Sequence, residues 1–193
     1  MDAFSPEQLQ EMVSRDERQI RSLSRLIDDM LDVSRIRTGK LSVRPEPGDL
    51  GVLAGNVVES LAAQFTNTGS HIELHVEGPA PVLMDEFRIE QVLANLLTNA
   101  LRYGDGKPVS VRVRVVDDMA RAEVRDQGLG ISEADQRRVF EQFERVSGTS
   151  VAQGLGLGLF ISEQIVQAHD GRIELSSRLG EGSCFSILLP LRR

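Results

Sequence analysis

QVLANLLTNALRYG, residues 91–104, carries Val92, Leu93, Leu96, Leu97, Ala100 and Leu101 at helical spacing. Such a stretch reads as a helix that buries one face. Asn95 and Asn99 stand four apart in it, so their amides lie one turn above the other on one side. Two amides in an apolar run are either an interruption on a solvated face or the lining of a cavity for a charged, hydrated ligand. The stretch alone leaves both open; its surroundings have to decide.

Working outward, Asp85 caps this helix, and Asp49 is the N-cap expected for a second one through LGVLAGNVVESLAAQF. Between them HIELHVEG alternates with period two, a strand with Ile72, Leu74 and Val76 inward. VSVRVRVVDD and ARAEVRD read as a hairpin-like pair of strands. SEADQRRVFEQF opens with Ser132 and Asp135 in a capping-box arrangement, which predicts a helix. A glycine-rich loop then leads into the helix LGLFISEQIVQAH, stopped by Gly171, and RIELSSRL and CFSILLPL close as strands. Helices and strands interleave while strand connections stay short. The pattern predicts an α+β fold with a mixed or antiparallel sheet and helices on one face.

Residues 6–38 differ from the rest. Val13, Ile20 and Ile27 repeat every seven residues, as do Leu9, Asp16, Leu23 and Met30, with Leu26 and Leu31 widening the stripe. A helix of this kind needs another helix to cover it, so self-association through residues 9–31 is expected. The segment RTGKLSVRPEPGDL, with Gly39, Pro45, Pro47 and Gly48, marks a boundary near residue 40. Two parts follow, 1–40 and 41–193.

Bulk composition narrows the function classes. The 193 residues suffice for one good core, and no apolar run approaches the ~20 residues that span a bilayer. The single Cys184 excludes an internal disulfide, and a formal charge of −7 argues against general binding to nucleic acid or anionic membranes. With no Trp, one Tyr and seven Phe, a base-stacking platform is also disfavoured. A cytoplasmic protein is expected.

Three glycine-bearing segments follow the asparagine helix. In RDQGLGIS, residues 125–132, a strand delivers Asp126 to a turn containing Gly128 and Gly130. A buried carboxylate there can accept from an exocyclic amine, though an ordinary turn with a capping Asp has the same pattern. In AQGLGLGLFIS, Gly154, Gly156 and Gly158 alternate directly before a helix, where free N–H groups suit phosphates. No Gly-Lys-Ser/Thr follows, so this is not a Walker loop. GEGSCFS, residues 180–186, places Ser183 beside the last strand, as a simple hairpin turn also would.

The order of these pieces is more specific than any one of them. Asn-x-x-x-Asn, Asp-x-Gly-x-Gly, Phe-x-x-Phe and Gly-x-Gly-x-Gly, in this sequence order, resemble the N, G1, F and G2 boxes of the ATP-binding domain of sensor histidine kinases. The resemblance covers residues ~40–190 and implies a Bergerat-type two-layer α/β sandwich binding ATP and Mg²⁺. It makes Asn99 the magnesium ligand and sets Asn95 toward the phosphates and metal-bound water, with Arg102 reaching the phosphates and Tyr103 near the nucleotide. Asp126 would accept from the adenine amino group, with Gly128, Gly130 and Ile131 beside the base. Phe140 and Phe143 would anchor a lid, roughly residues 145–154, and Arg145 would stabilise charge on the γ-phosphate. Gly154, Leu155, Gly156, Leu157 and Gly158 would face the phosphates, and Ser183 completes the cofactor set. By the same resemblance, residues 1–40 look like the second helix of the family's dimerisation and phosphotransfer hairpin.

Two details refine the resemblance. Relatives that hydrolyse ATP typically carry Glu, a general base, where this chain has Asn95; an amide cannot take that proton, which favours the kinase branch. The family's acceptor histidine has no match. His71 and His75 alternate outward on a strand about 13 Å apart, and HDGR at His169 lacks the expected Pro and reads as a helix-end histidine favoured by the macrodipole. The chain is therefore expected to start after the acceptor helix. Its implied partners are that helix, a receiver domain and a second copy of itself. A non-catalytic ATP-dependent scaffold and a hydrolysing ATPase are the alternatives.

Overall fold

The computed structural model describes residues 5–144 and 155–192, apart from the side chains of positions 6–9, 11, 14, 17, 18 and 21. The chain divides into two compact units, Met1–Lys40 and Leu41–Arg193. In the first, α1 (Pro6–Arg37) is one continuous helix of 32 residues. Val13, Ile20, Leu23, Ile27 and Met30 on it are each more than half exposed, so the heptad stripe is uncovered in this single chain.

The second unit opens with β1 (Glu46–Asp49), which pairs antiparallel with β3 (Pro81–Met84) in a small two-stranded sheet. The sequence reading missed both strands. Four residues are too few for a visible alternation, and the Pro and Gly of EPGD read as a breaker although an edge strand tolerates them. The main sheet holds β2 (Ile72–Val76), β4 (Val109–Val116), β5 (Met119–Arg125), β6 (Arg172–Arg178) and β7 (Gly182–Pro190), in the order β2-β4-β5-β7-β6. Only β2 and β4 run parallel, so the sheet is mixed. Val111, Ala122, Val124 and Ile187 alternate with Arg112, Glu123 and Arg121, which gives one apolar and one charged face.

Three helices cover the apolar face: α2 (Leu50–Asn67), α3 (Glu86–Tyr103) and α4 (Gly158–Gln167), with α3 packed between the other two. The Asp49 side chain accepts from the Gly51 and Val52 amides at 2.8 and 3.2 Å, and that of Asp85 accepts from Arg88 N at 3.3 Å. Both N-caps stand where the sequence placed them.

Four expectations are corrected. Leu74 and Val76 face α2 but remain 36% and 41% exposed, because Gly51 and Gly55 oppose them and β2 is an edge strand. Residues 132–141 form turns and a 3₁₀ helix, Arg138–Phe140, rather than an α-helix. Ser132 Oγ does donate to Asp135 at 2.7 Å, but Gln136 Nε2 reaches the Ile131 and Ser177 carbonyls and holds the segment down before a second turn can form. The left-handed residue after α4 is Asp170 (φ 57°), not Gly171, whose lack of a side chain instead admits the Leu188 carbonyl. His169 is buried and makes two hydrogen bonds, so it is not a solvated cation at a helix end. Its Nδ1 donates to the Ile165 carbonyl at 2.7 Å and its Nε2 accepts from Asp85 N at 2.9 Å. Those partners require the neutral tautomer with its proton on Nδ1. The ring thus ties the end of α4 to the start of α3.

Candidate functional site

The site is built on the face of α3 turned toward α4. Asn95 is buried, and its Nδ2 donates to Ser162 Oγ on α4 at 3.0 Å. The same amide lies against Gly158, the first residue of α4, so closely that a Cβ there would collide with Asn95 Oδ1. One turn further along α3, Asn99 is half-buried, and no side-chain hydrogen bond joins it to another described residue. Asn95 is thus held in the helix interface while the Asn99 amide keeps its bonding capacity. Arg102 and Tyr103 complete the last turn of α3, both half-buried.

At the end of α3 the loop after β5 crosses over. Leu129 N donates to the Tyr103 carbonyl at 3.1 Å, and Gly128 packs against that carbonyl where no side chain fits. Gly130 has φ 67° and abuts the backbone of Arg178. These glycines let the loop approach other parts of the chain, a requirement in place before any ligand arrives. Asp126 stands just past β5 and is buried. Its Oδ1 accepts from Gly128 N at 2.9 Å, and its own N–H donates to the Ser183 carbonyl at 2.9 Å. Burial raises its carboxyl above the usual range, partly offset by the backbone hydrogen bonds at Gly128 and Ser183. A desolvated carboxylate of this kind is poised to accept from a ligand N–H.

The remaining site residues fall as follows. Ile131 is buried, with its N–H bonded to Ser177 Oγ at 2.8 Å. Ser183 is buried, and its hydroxyl pairs with that of Ser177 at 3.0 Å, so it reaches the Asp126 region through its carbonyl. Phe140 packs edge-on against Phe185, with centroids 6.3 Å apart, but Phe143 is 60% exposed and only its backbone is anchored, through Phe143 N to the Gly156 carbonyl at 3.1 Å. Leu155 is half-buried and Leu157 is buried at the N-cap of α4. Arg145, Gly154 and the lid at 145–154 lie outside the described residues. Sequence reasoning missed Ser162 and, in taking His169 for a helix-end histidine, missed its link to α3. Their partners Asn95 and Asp85 lie 67 and 84 positions away, and the one local sign was a serine within the apolar stripe of α4.

Residues 84–193 match the family described as histidine kinase-, DNA gyrase B-, and HSP90-like ATPase. The sensor histidine kinase MtrB of Mycobacterium leprae is 34% identical over 173 residues, 87% of this chain and 30% of that protein. The circadian input-output histidine kinase CikA of Synechococcus elongatus is 34% identical over 175 residues, 87% of this chain and 23% of that protein. Among solved structures, full-length ShkA in complex with AMPPNP has a TM-score of 0.81 at 27% identity, covering 98% of this chain and 40% of that one. The mycobacterial sensor histidine kinase MprB has a TM-score of 0.67 at 29% identity, covering 77% of this chain and 99% of that one. The chain belongs to the histidine kinase-, DNA gyrase B- and HSP90-like ATPase family, on its sensor histidine kinase branch. It spans about a third of the length of the MtrB relatives it matches. Among the described residues, no helix is long and apolar enough to cross a membrane, and no cluster of His, Cys, Asp or Glu could hold a metal ion.

Proposed function

We propose that this chain binds MgATP beside α3 and donates the γ-phosphoryl group to a histidine on a separate helix, for relay to a receiver aspartate. The observation that carries the reading is the arrangement around α3. One amide, Asn95, is fixed against the start of α4; the next, Asn99, has no partner among the described residues; and a buried carboxylate, Asp126, waits beyond the helix end. Asp126 would accept from the adenine amino group and discriminate against guanine, whose exocyclic groups are differently placed. The start of α4 offers unpaired N–H groups to the phosphates. Arg102 would add positive charge there, and Arg145 is assigned the γ-phosphate by family resemblance.

An uncharged amide oxygen is a donor that Mg²⁺ accepts while keeping most of its water, and Asn99 is the residue placed to supply it. The metal would neutralise phosphate charge. Asn95 can hydrogen-bond but cannot remove a proton, so activation falls to the nucleophile. The acceptor imidazole would use its own nitrogen lone pair to form the N–P bond as the β–γ P–O bond breaks and ADP leaves with those electrons. Water would be a poor substitute without a base, which disfavours the hydrolysing alternative.

The exposed stripe of α1 from Val13 to Met30 supports pairing with a second copy, as the second helix of a dimerisation hairpin. The test of the nucleotide assignment is a calorimetric titration with ATP and GTP, each with Mg²⁺. ATP is expected to bind at least ~10-fold more tightly, about 1.4 kcal/mol. Equal affinities would remove Asp126 from its role.

A further inference from the structure

The loop after β5, residues 126–131, is joined to the β6–β7 hairpin at both of its ends. At its start, Asp126 N donates to the Ser183 carbonyl at 2.9 Å, and Gly182 leaves room for the Asp126 carbonyl where a Cβ would collide with it. Midway, Gly180 N donates to the Leu129 carbonyl at 2.7 Å. At its end, Ile131 N donates to Ser177 Oγ at 2.8 Å. Ser177 and Ser183 stand opposite each other in the β6–β7 ladder, so their side chains share one face. Ser177 Oγ also donates to the Gly182 carbonyl at 2.8 Å and pairs with Ser183 Oγ at 3.0 Å. A single side-chain oxygen thus bonds to the residue that ends the loop and to the two residues against which the loop begins.

From these contacts we infer that Ser177 is a positioning residue for base recognition, whose hydroxyl sets the seat of the loop that carries Asp126. It acts through Ile131, Gly182 and Ser183 and is assigned no ligand contact of its own. The Ser177 backbone is held separately, by pairing with β7 and by Gln136 Nε2 on its carbonyl at 2.8 Å, so loss of the hydroxyl leaves the strand in place. The backbone bonds at Asp126 and Leu129 also remain and keep the chain folded. What is lost is the common partner of the Ile131 N–H, the Gly182 carbonyl and the Ser183 hydroxyl. Ile131 and Ser183 are buried, so their freed groups draw the loop and the hairpin tip toward other partners. A carboxylate tells one base from another only while it is held within about 0.5 Å of its working position. The loss therefore falls on the choice of base, with or without Mg²⁺. The inference rests on the ATP-site reading above, in which Asp126 meets the adenine amino group.

The experiment uses the full chain, labelled with ¹⁵N, as wild type, Ser177→Ala, Ser177→Thr and Asp126→Ala. Affinities for ATP and GTP are titrated with Mg²⁺ and again in excess EDTA, and the amide signals of Asp126 and Gly128 are followed without nucleotide. The readout is the ratio of the two affinities. A smaller folded fraction weakens both ligands equally, so a merely structural role leaves the ratio unmoved. The wild type is expected to favour ATP at least ~10-fold, and Ser177→Ala by only about threefold or less, in both media. The Asp126 and Gly128 signals should shift in Ser177→Ala. Ser177→Thr, which keeps the hydroxyl, should retain the wild-type ratio, and adding Ser177→Ala to Asp126→Ala should change the ratio no further. Should Ser177→Ala give no melting transition, Ser177→Cys, with a larger and weaker hydrogen-bonding group, carries the comparison, and an intermediate ratio is expected. An unchanged ratio in the folded variant, or unmoved Asp126 and Gly128 signals, would reduce Ser177 to a staple of the hairpin and overturn the inference. A wild-type chain without preference for ATP would instead overturn the Asp126 reading, and this inference with it.

Discussion

Replacing His169 with alanine should destabilise the second unit by about 3–5 kcal/mol, as an unsatisfied donor and a cavity together require. The ring is 5% exposed, and both its nitrogens are engaged, with the Ile165 carbonyl and Asp85 N. Alanine leaves the Asp85 N–H without its acceptor at a part-buried position, which costs about 1–3 kcal/mol. The cavity left by a buried ring adds a further ~2 kcal/mol or more, depending on how far α3 and α4 collapse into it. The Ile165 carbonyl, in the last turn of α4 and at a buried position, also loses its hydrogen-bond partner, which favours the upper end of the overall range. Urea unfolding followed by far-UV circular dichroism suits a chain with no Trp and one Tyr. With a slope near ~2 kcal/mol/M, the midpoint should fall by roughly 1.5–2.5 M. His169→Gln offers an acceptor and a donor in one side chain and should recover part of the loss. A midpoint shift equivalent to less than ~0.5 kcal/mol in His169→Ala, within the range of ordinary surface substitutions, would refute the strut between the two helices.

Other perturbations separate stability from binding. Burial raises the Asp126 carboxyl above its unfolded value, so ionising it opposes folding near neutral pH, and its favourable contribution is complete only at acidic pH. Asp126→Asn should therefore leave the nucleotide-free chain as stable or more stable at pH 7, by thermal melting. That advantage should shrink as pH falls into the carboxyl range, while ATP affinity drops at least ~10-fold; a less stable variant with unchanged affinity would contradict both halves. Gly158→Ala gains ~1 kcal/mol of helix propensity yet drives a Cβ into Asn95 Oδ1, so weaker MgATP binding without any gain in melting temperature is expected from titration and melting curves. Ile20→Asp combined with Ile27→Asp puts charge in the exposed stripe of α1, and sedimentation should show a dimer in the parent chain and a monomer in the variant. A parent chain monomeric at all concentrations would exclude pairing through that stripe.

What could be read from the sequence follows from how local each determinant is. The asparagine helix is long, strongly periodic and capped by Asp85, and so it stands where its pattern put it. The same holds for α2, whose Asp49 cap also accepts from Ala80 N at 2.8 Å. Strands β1 and β3 were invisible because each is only four residues long, β1 carrying Pro47 and Gly48, and their mutual pairing is what makes them strands. The capping pair Ser132 and Asp135 formed without the helix it announced, since Gln136 bonds across to the backbone of β6 at Ser177. For the candidate site, residue types at fixed spacing singled out Asn95, Asn99, Asp126 and the glycines. Sequence assigned Gly128 to the passage of a ligand base, whereas its immediate neighbour is the Tyr103 carbonyl. Ser162 escaped notice, and so did the strut role of His169, because Asn95 and Asp85, the partners concerned, lie far along the chain from them.

The central claim is phosphoryl donation without hydrolysis. Its most direct test combines this chain with Mg²⁺, γ-labelled ATP and a separate polypeptide carrying an acceptor-histidine helix from a related kinase, following both free phosphate and protein-bound label. The account expects acid-labile label on the acceptor with little phosphate released, and no transfer when Asn99 is replaced by alanine. Steady phosphate release with an unlabelled acceptor would contradict it and place the chain among the hydrolysing members of its family.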